Sequence, residues 1–352
     1  MLFWSQGQRR RGLQRIDSIY TTRTVAAAPI ARPLAVGDPI ASDFDFAAHM
    51  QRQHNAGLII LHHGRIRFEA YADDYGPDRR WTSFSVAKSI TSTLVGMALK
   101  DGAIGSIDEA IAVYLPGLAR SAYADVTLRH LLTMTSGIGW NEAYDEPAAD
   151  VARFWAQTPE PDVDNVSAYM RGLARVAPAG TVWNYNTGET NLLGAIIASA
   201  TGQSLSAYLS LKIWQPAGME RDAAWIVAAD GREVGGCCLS ACLRDYARFG
   251  QFIVDGGVID GVPMLPDGWL AQATTRRVDI DEPGRGYGYQ WWTNDDGSFD
   301  ARGIFGQGIF IDCAAHLVIA SSGNWPNAIE PDALGPERQH FYRRVRDLVQ
   351  GD

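Results

Sequence analysis

The chain has 352 residues (38.4 kDa), 46% of them hydrophobic and 20% charged. That is enough to bury a large core as one big domain or two smaller ones, which excludes disordered and fibrous classes. Lys plus Arg is 31 and Asp plus Glu is 40, a net charge of −9; with no sequence-wide positive field to hold a polyanion, nucleic acid is not an expected partner.

Residues 1–12 place their apolar residues ahead of Arg9, Arg10 and Arg11, the reverse of a secretory leader. As numbered the chain is expected to be cytoplasmic, or periplasmic if a leader precedes it. Residues 57–61 (GLIIL) and 66–72 (IRFEAYA) flank His62-His63-Gly64-Arg65 and predict a hairpin that starts a sheet, with the two histidines at the surface. From 85 to about 247 the pattern is mostly helical, with apolar residues at threes and fours over 89–99, 128–134, 192–200 and 205–213. The uncharged stretch 190–211 is broken by Gly194, Gly202 and hydroxyl residues and predicts buried helices, not a membrane span. The tail returns to strand character at 287–292, 304–311 and 317–321 and closes with an amphipathic helix over 336–349.

This order predicts an α/β (α+β) fold with one sheet completed by both ends of the chain. A sheet-containing domain is expected over 1–84 and 245–352, and a mostly helical one over 85–244, with the active site at their interface. Cys237, Cys238, Cys242 and Cys313 make no disulfide framework and read as small buried apolar residues. Adjacent cysteines cannot easily share one tetrahedral metal, and no finger-like spacing accompanies them, so no metal site is expected.

Lysine usage points to the chemistry. There are three lysines, Lys88, Lys100 and Lys212, against 28 arginines. Arginine stays protonated in proteins, whereas a desolvated lysine can become neutral near working pH and act as a base. Lys88 follows Ser85 by three positions where a helical stretch begins, so both fall on one helix face. A serine hydroxyl needs a base to become a nucleophile, and a Ser-Lys pair supplies one. The plain alternative is a helix-capping serine beside a snorkelling lysine. A second element, 183–188 (WNYNTG), puts Tyr185 on a loop before a buried helix, from which its phenol can shuttle protons near Ser85.

Together these segments resemble the class C beta-lactamase family in the broad sense, which includes DD-peptidases, esterases and 6-aminohexanoate-oligomer hydrolases. The resemblance runs from about 57 to 323. FSVAKS at 84–89 matches the nucleophile motif, HLLTMTSG at 130–137 the segment after it, Tyr185 with the following NLLG the Tyr-x-Asn region, and LSACLRDYARFG at 239–250 a later helix. It implies a beta-lactamase/transpeptidase-like fold, an antiparallel sheet flanked by terminal helices with a helical insertion.

By that resemblance Ser85 is acylated, Lys88 takes its proton, and Tyr185 serves as acid and base. The oxyanion is bound by the backbone N–H groups of Ser85 and of a residue near Ile304, on a strand expected over 301–311. No metal or organic cofactor is required. Two departures stand out. The third motif is best matched by Ala301-Arg302-Gly303, without the inward cation that anchors a beta-lactam carboxylate, and Arg302 is expected to point away from the cleft. Thr187 stands where Asn is common. Both changes fit the branch of 6-aminohexanoate-dimer hydrolases and carboxylesterases.

The expected function is therefore a serine hydrolase acting through an acyl-enzyme on a small ester or linear amide. Thr187, Gly303, Tyr144 and Trp183 are candidate substrate contacts. The alternatives are a beta-lactamase or DD-peptidase and, from another class, a non-catalytic penicillin-recognition-like binding module. An alpha/beta-hydrolase is disfavoured because no Gly-x-Ser-x-Gly elbow occurs. Residues 139–150 (GWNEAYDEPAAD) are either an acidic lip suited to a substrate amine or a solvated loop.

Overall fold

The computed structural model describes residues 1–351 apart from 159, 161, 162 and 331. Its first third runs α1 (Gln6–Gly12), β1 (Thr22–Val25), β2 (Ala35–Val36), α2 (Phe46–Arg52), β3 (Asn55–His62), β4 (Arg65–Tyr71) and β5 (Arg80–Thr82). The middle is helical: α3 (Val86–Lys100), α4 (Leu128–Leu132), α5 (Asp150–Ala156), α6 (Asn165–Met170), α7 (Thr187–Thr201) and α8 (Leu205–Leu209). Then come β6 (Ala223–Ile226), β7 (Leu239–Cys242), α9 (Leu243–Val254), the small pair β8 (Val258–Ile259) and β9 (Val262–Pro263), and α10 (Trp269–Ala273). The chain closes with β10 (Val278–Asp279), β11 (Arg285–Tyr287), β12 (Trp292–Asn294), β13 (Phe299–Gly303), β14 (Gln307–Asp312), β15 (Leu317–Gly323) and α11 (Leu334–Gly351).

The predicted hairpin is β3 and β4, joined by His63 (φ +50°) and Gly64 (φ +71°), the paired positive φ of a tight hairpin turn. The tail completes the same sheet. Its order is β10-β11-β12-β13-β14-β15-β3-β4-β2, so β15 pairs antiparallel with β3 across most of the chain's length. Strand β3 is apolar without alternation because both its faces are covered. Leu58 and Ile60 pack with Phe341, Tyr342 and Val345 of α11, whereas Ile59 and Leu61 face the main core with Phe249 and Ile253 of α9. Helix α3 has thirteen of its fifteen residues buried and packs against α7 and β13, so its first turn lies where the helical region meets the sheet. A second sheet, β1-β6-β7-β5, draws strands from both the early segment and the middle of the chain.

Three local expectations are corrected. Residues 287–292 are not one strand: the chain turns between β11 and β12, with Gln290 at φ +64°. Residues 301–311 are two strands, folded back at 304–306 with Phe305 at φ +62°. The helical stretch 205–213 loosens after Leu209 into a π-helical turn, Ser210–Trp214.

Candidate active site

Ser85 owes its position to the residue before it. Phe84 has φ +44°, a left-handed conformation costly for an aromatic residue. Its carbonyl is pinned by the N–H groups of Ala87 at 3.2 Å and Cys238 at 3.3 Å. Ser85 then sits at the start of α3, yet its side chain makes no capping hydrogen bond. Its Oγ instead lies 2.9 Å from Lys88 Nζ, one turn on, and is 8% exposed as a residue. The capping alternative is thereby removed.

Lys88 is 1% exposed and has three partners: Ser85 Oγ at 2.9 Å, Thr187 Oγ1 at 2.9 Å and the Gly236 carbonyl at 2.7 Å. The proton bookkeeping is informative. A carbonyl can only accept, and the Thr187 hydroxyl donates its single proton to Glu142, so it too must accept from Lys88. As an ammonium Lys88 can donate to all three partners; once neutral, it keeps its two N–H bonds to the Gly236 and Thr187 acceptors and turns its lone pair to Ser85. Burial lowers the Lys88 pKa to about 8, with the Glu142 carboxylate pulling the other way.

Glu142 was not singled out from the sequence. Its carboxylate accepts from the Thr187 hydroxyl and N–H, from the Trp140 indole and, at 2.9 Å, from the Tyr144 hydroxyl, which fills a carboxylate's accepting capacity. Of the acid-rich stretch 139–150, Glu142 turns inward while Asp145 and Glu146 stay exposed. The stretch is therefore neither wholly a lip nor wholly a solvated loop.

Tyr185 stands over Lys88, its ring centroid 5.1 Å from Nζ. Burial and the nearby Glu142 push its phenol well above the usual range, against a hydrogen bond with Ser85 and the Arg302 charge. Its ring is held among Trp183, Tyr287 and Trp292 at centroid distances of 6.2, 6.3 and 5.4 Å. The 130–137 segment supports this loop from below: the Met134 carbonyl accepts from the Asn184 N–H at 2.9 Å, and Ser136 donates to Glu189. Gly137 (φ +74°) is required there, since a Cβ would lie 2.0 Å from the Ala177 carbonyl oxygen. Glu189, buried on α7, has its pKa raised by burial to about 8 despite hydrogen bonds from Ser136 and Tyr123.

Gly303 ends β13 against the segment that carries Ser85, where a Cβ would lie 2.4 Å from the Ser83 carbonyl oxygen. Among the described residues neither the Ser85 nor the Ile304 backbone N–H has a protein acceptor, and both residues line one cavity of about 570 Å³. Arg302 is bound to Asp300 at 2.6 and 2.9 Å, its guanidinium 5.1 Å from the Trp292 ring centre. Of the candidate substrate contacts, Thr187 and Tyr144 line the cavity with Ser85 and Ile304, whereas Trp183 packs behind Tyr185. The cysteine expectation is corrected: Cys237 and Cys238 form a disulfide in the cavity wall, beside the Gly236 carbonyl that holds Lys88. Cys242 is a free, buried residue as expected, and Cys313 is free but exposed.

A serine hydroxyl on a buried amine at a helix start, beside the end of a sheet strand, β13, defines the class to which comparison assigns the protein. The Beta-lactamase family profile matches residues 44–342, and the chain belongs to that family of serine hydrolases. It is similar to the 6-aminohexanoate-dimer hydrolase of Paenarthrobacter ureafaciens, 26% identical over 360 residues that cover 96% of this chain and 89% of that protein. Over 212 residues, 54% of this chain and 51% of the other, it is 32% identical to esterase EstB of Burkholderia gladioli. Among solved structures, a candidate 6-aminohexanoate-dimer hydrolase from Bacillus anthracis superposes with a TM-score of 0.85 at 23% identity, covering 97% of this chain and 94% of that one.

Proposed function

We propose that the protein hydrolyses a small carboxylic ester or linear amide through an acyl-enzyme, with Ser85 as nucleophile, Lys88 as its base and Tyr185 as proton donor to the leaving group. Neutral Lys88 takes the Ser85 proton as Oγ bonds to the substrate carbonyl carbon. The carbonyl oxygen becomes an oxyanion facing the free N–H groups of Ser85 and Ile304. Collapse of this adduct breaks the bond to the alcohol or amine, which leaves with the Tyr185 proton, and Lys88 returns its proton to Tyr185. Water then attacks the acyl-enzyme by the same steps in reverse order, giving the acid and free Ser85.

The observation that carries this reading is the occupation of Lys88, whose two other partners can only accept, so that its lone pair is left to Ser85. The shifts divide the labour: Lys88 is lowered towards neutrality, and Tyr185 is raised and so keeps its proton in the resting state. The pairing of Arg302 with Asp300 supports an ester or linear amide over a carboxylate-bearing lactam, which lacks a free cation there.

Ser85→Ala and Lys88→Arg should each lower kcat/KM for p-nitrophenyl butyrate by about 10³-fold or more, with unchanged circular dichroism for Ser85→Ala because its side chain caps nothing. Near-normal turnover in either variant contradicts the assignment. Rescue by arginine would show that a fixed positive charge suffices.

A further inference from the structure

We propose that the cavity beside Ser85 is an acyl-chain pocket selective for uncharged, medium-length aliphatic acyl groups; this rests on the acyl-enzyme reading above. The cavity, about 570 Å³, is within the range of small-molecule sites. It reaches from Ser85 and Ile304 out to Leu2, Tyr20, Val151, Trp155 and Val227, and no carboxylate, amine, guanidinium or imidazole side chain lines it. Tyr144 turns its hydroxyl to Glu142, leaving the ring to the cavity, and the wall's two cysteines are joined as a disulfide, without thiols.

Two further observations orient the occupant. Tyr185, the donor to the leaving group, does not line this cavity, whereas Ser85 and Ile304, which flank the oxyanion, do. The cavity is therefore on the acyl side of the scissile bond. Two large apolar side chains remain exposed in it, Trp155 on α5 at 40% and Phe3 at 57%, an apolar rim that a hydrocarbon chain would cover. An acyl chain ending in an ammonium would lose its water here and find no counter-charge. This chain thus differs in acyl preference from what the name of its 6-aminohexanoate-dimer hydrolase relative describes.

The test is kcat/KM for p-nitrophenyl acetate, butyrate, hexanoate and octanoate, beside p-nitrophenyl 8-aminooctanoate. Each methylene buried should raise the value by up to about fourfold, giving at least a tenfold rise from acetate to hexanoate. The 8-aminooctanoate should fall at least tenfold below octanoate. Ala152→Phe, which fills the cavity from α5, should lower the octanoate-to-acetate ratio at least tenfold. A flat or falling series, equal rates for the two C8 esters, or an unchanged ratio in the Ala152 variant overturns the proposal.

Calorimetry on the Ser85→Ala variant separates the pocket from the catalytic reading. Octanamide should bind at least tenfold more tightly than 8-aminooctanamide, and equal or reversed affinities overturn the pocket. Persistent ester hydrolysis in that variant would instead sink the role of Ser85, with the amide affinities still deciding the pocket.

Discussion

Glu142 reaches Ser85 through two intermediaries: it accepts a hydrogen bond from the Thr187 hydroxyl, Thr187 accepts from Lys88, and Lys88 lies against Ser85. The same carboxylate raises the Lys88 pKa against the larger effect of burial. The sign of a Glu142→Gln change follows. In the mechanism proposed above the active form is the neutral amine, present above its pKa and lost as pH falls through it. Removing the carboxylate's attraction for the ammonium lowers that pKa, so the acid limb of kcat/KM, expected near pH 8 for the unaltered chain, should move down by roughly 0.5–1 unit. The plateau should fall as well, since the amide has one accepting oxygen and must set its NH2 against two of the four donors that the carboxylate satisfies. A pH profile with the limb unmoved, or moved upward, would contradict this coupling.

At the scale of elements, β13 is pressed onto the loop that carries Ser85, and Gly303 is the contact. Gly303→Ala forces β13 away from the Ser83 carbonyl and takes the Ile304 N–H with it. We expect kcat to fall by about 10²-fold or more, the usual effect of losing one oxyanion donor, while circular dichroism and KM change little; near-native kcat would show that this N–H is not used. The β3–β4 hairpin, helices α3 and α7 and the closing helix were legible because each follows a local period or carries turn residues. The turns at 288–291 and 304–306 were not, although Gly288 and Gly306 lie in them, because apolar and aromatic residues surround each glycine and a non-glycine, Gln290 or Phe305, also takes a positive φ. Gln290 takes a positive φ for tertiary reasons. It is 1% exposed, and it receives the Ser89 and Thr190 hydroxyls at 2.7 Å each while donating to the Leu131 and Leu132 carbonyls, which ties α3, α4 and α7 together. Phe305 likewise turns where Phe84 packs on it, 5.3 Å between ring centres.

Across the whole molecule, the site joins segments far apart in sequence: Ser85 and Lys88, Glu142, Tyr185 with Thr187, Gly236, and Ile304. Lysine scarcity and spacing pointed to the first pair but left a capping alternative open, and the motif resemblance singled out the pair together with Tyr185. Glu142 was not, since four carboxylates crowd 139–150 and only the folded chain brings this one onto Thr187, the partner of Lys88. The Cys237–Cys238 bond was also missed, because adjacency argued against a shared metal and was taken no further. With only three lysines in the chain, the protonation of Lys88 can be followed alone by labelling lysine with ¹³C at Cε and titrating by NMR. One resonance, absent in Lys88→Met, should titrate near pH 8 and coincide with the acid limb of kcat/KM. If that resonance titrates instead near 10.5, the ordinary lysine value, Lys88 is cationic at working pH and is not the base that activates Ser85.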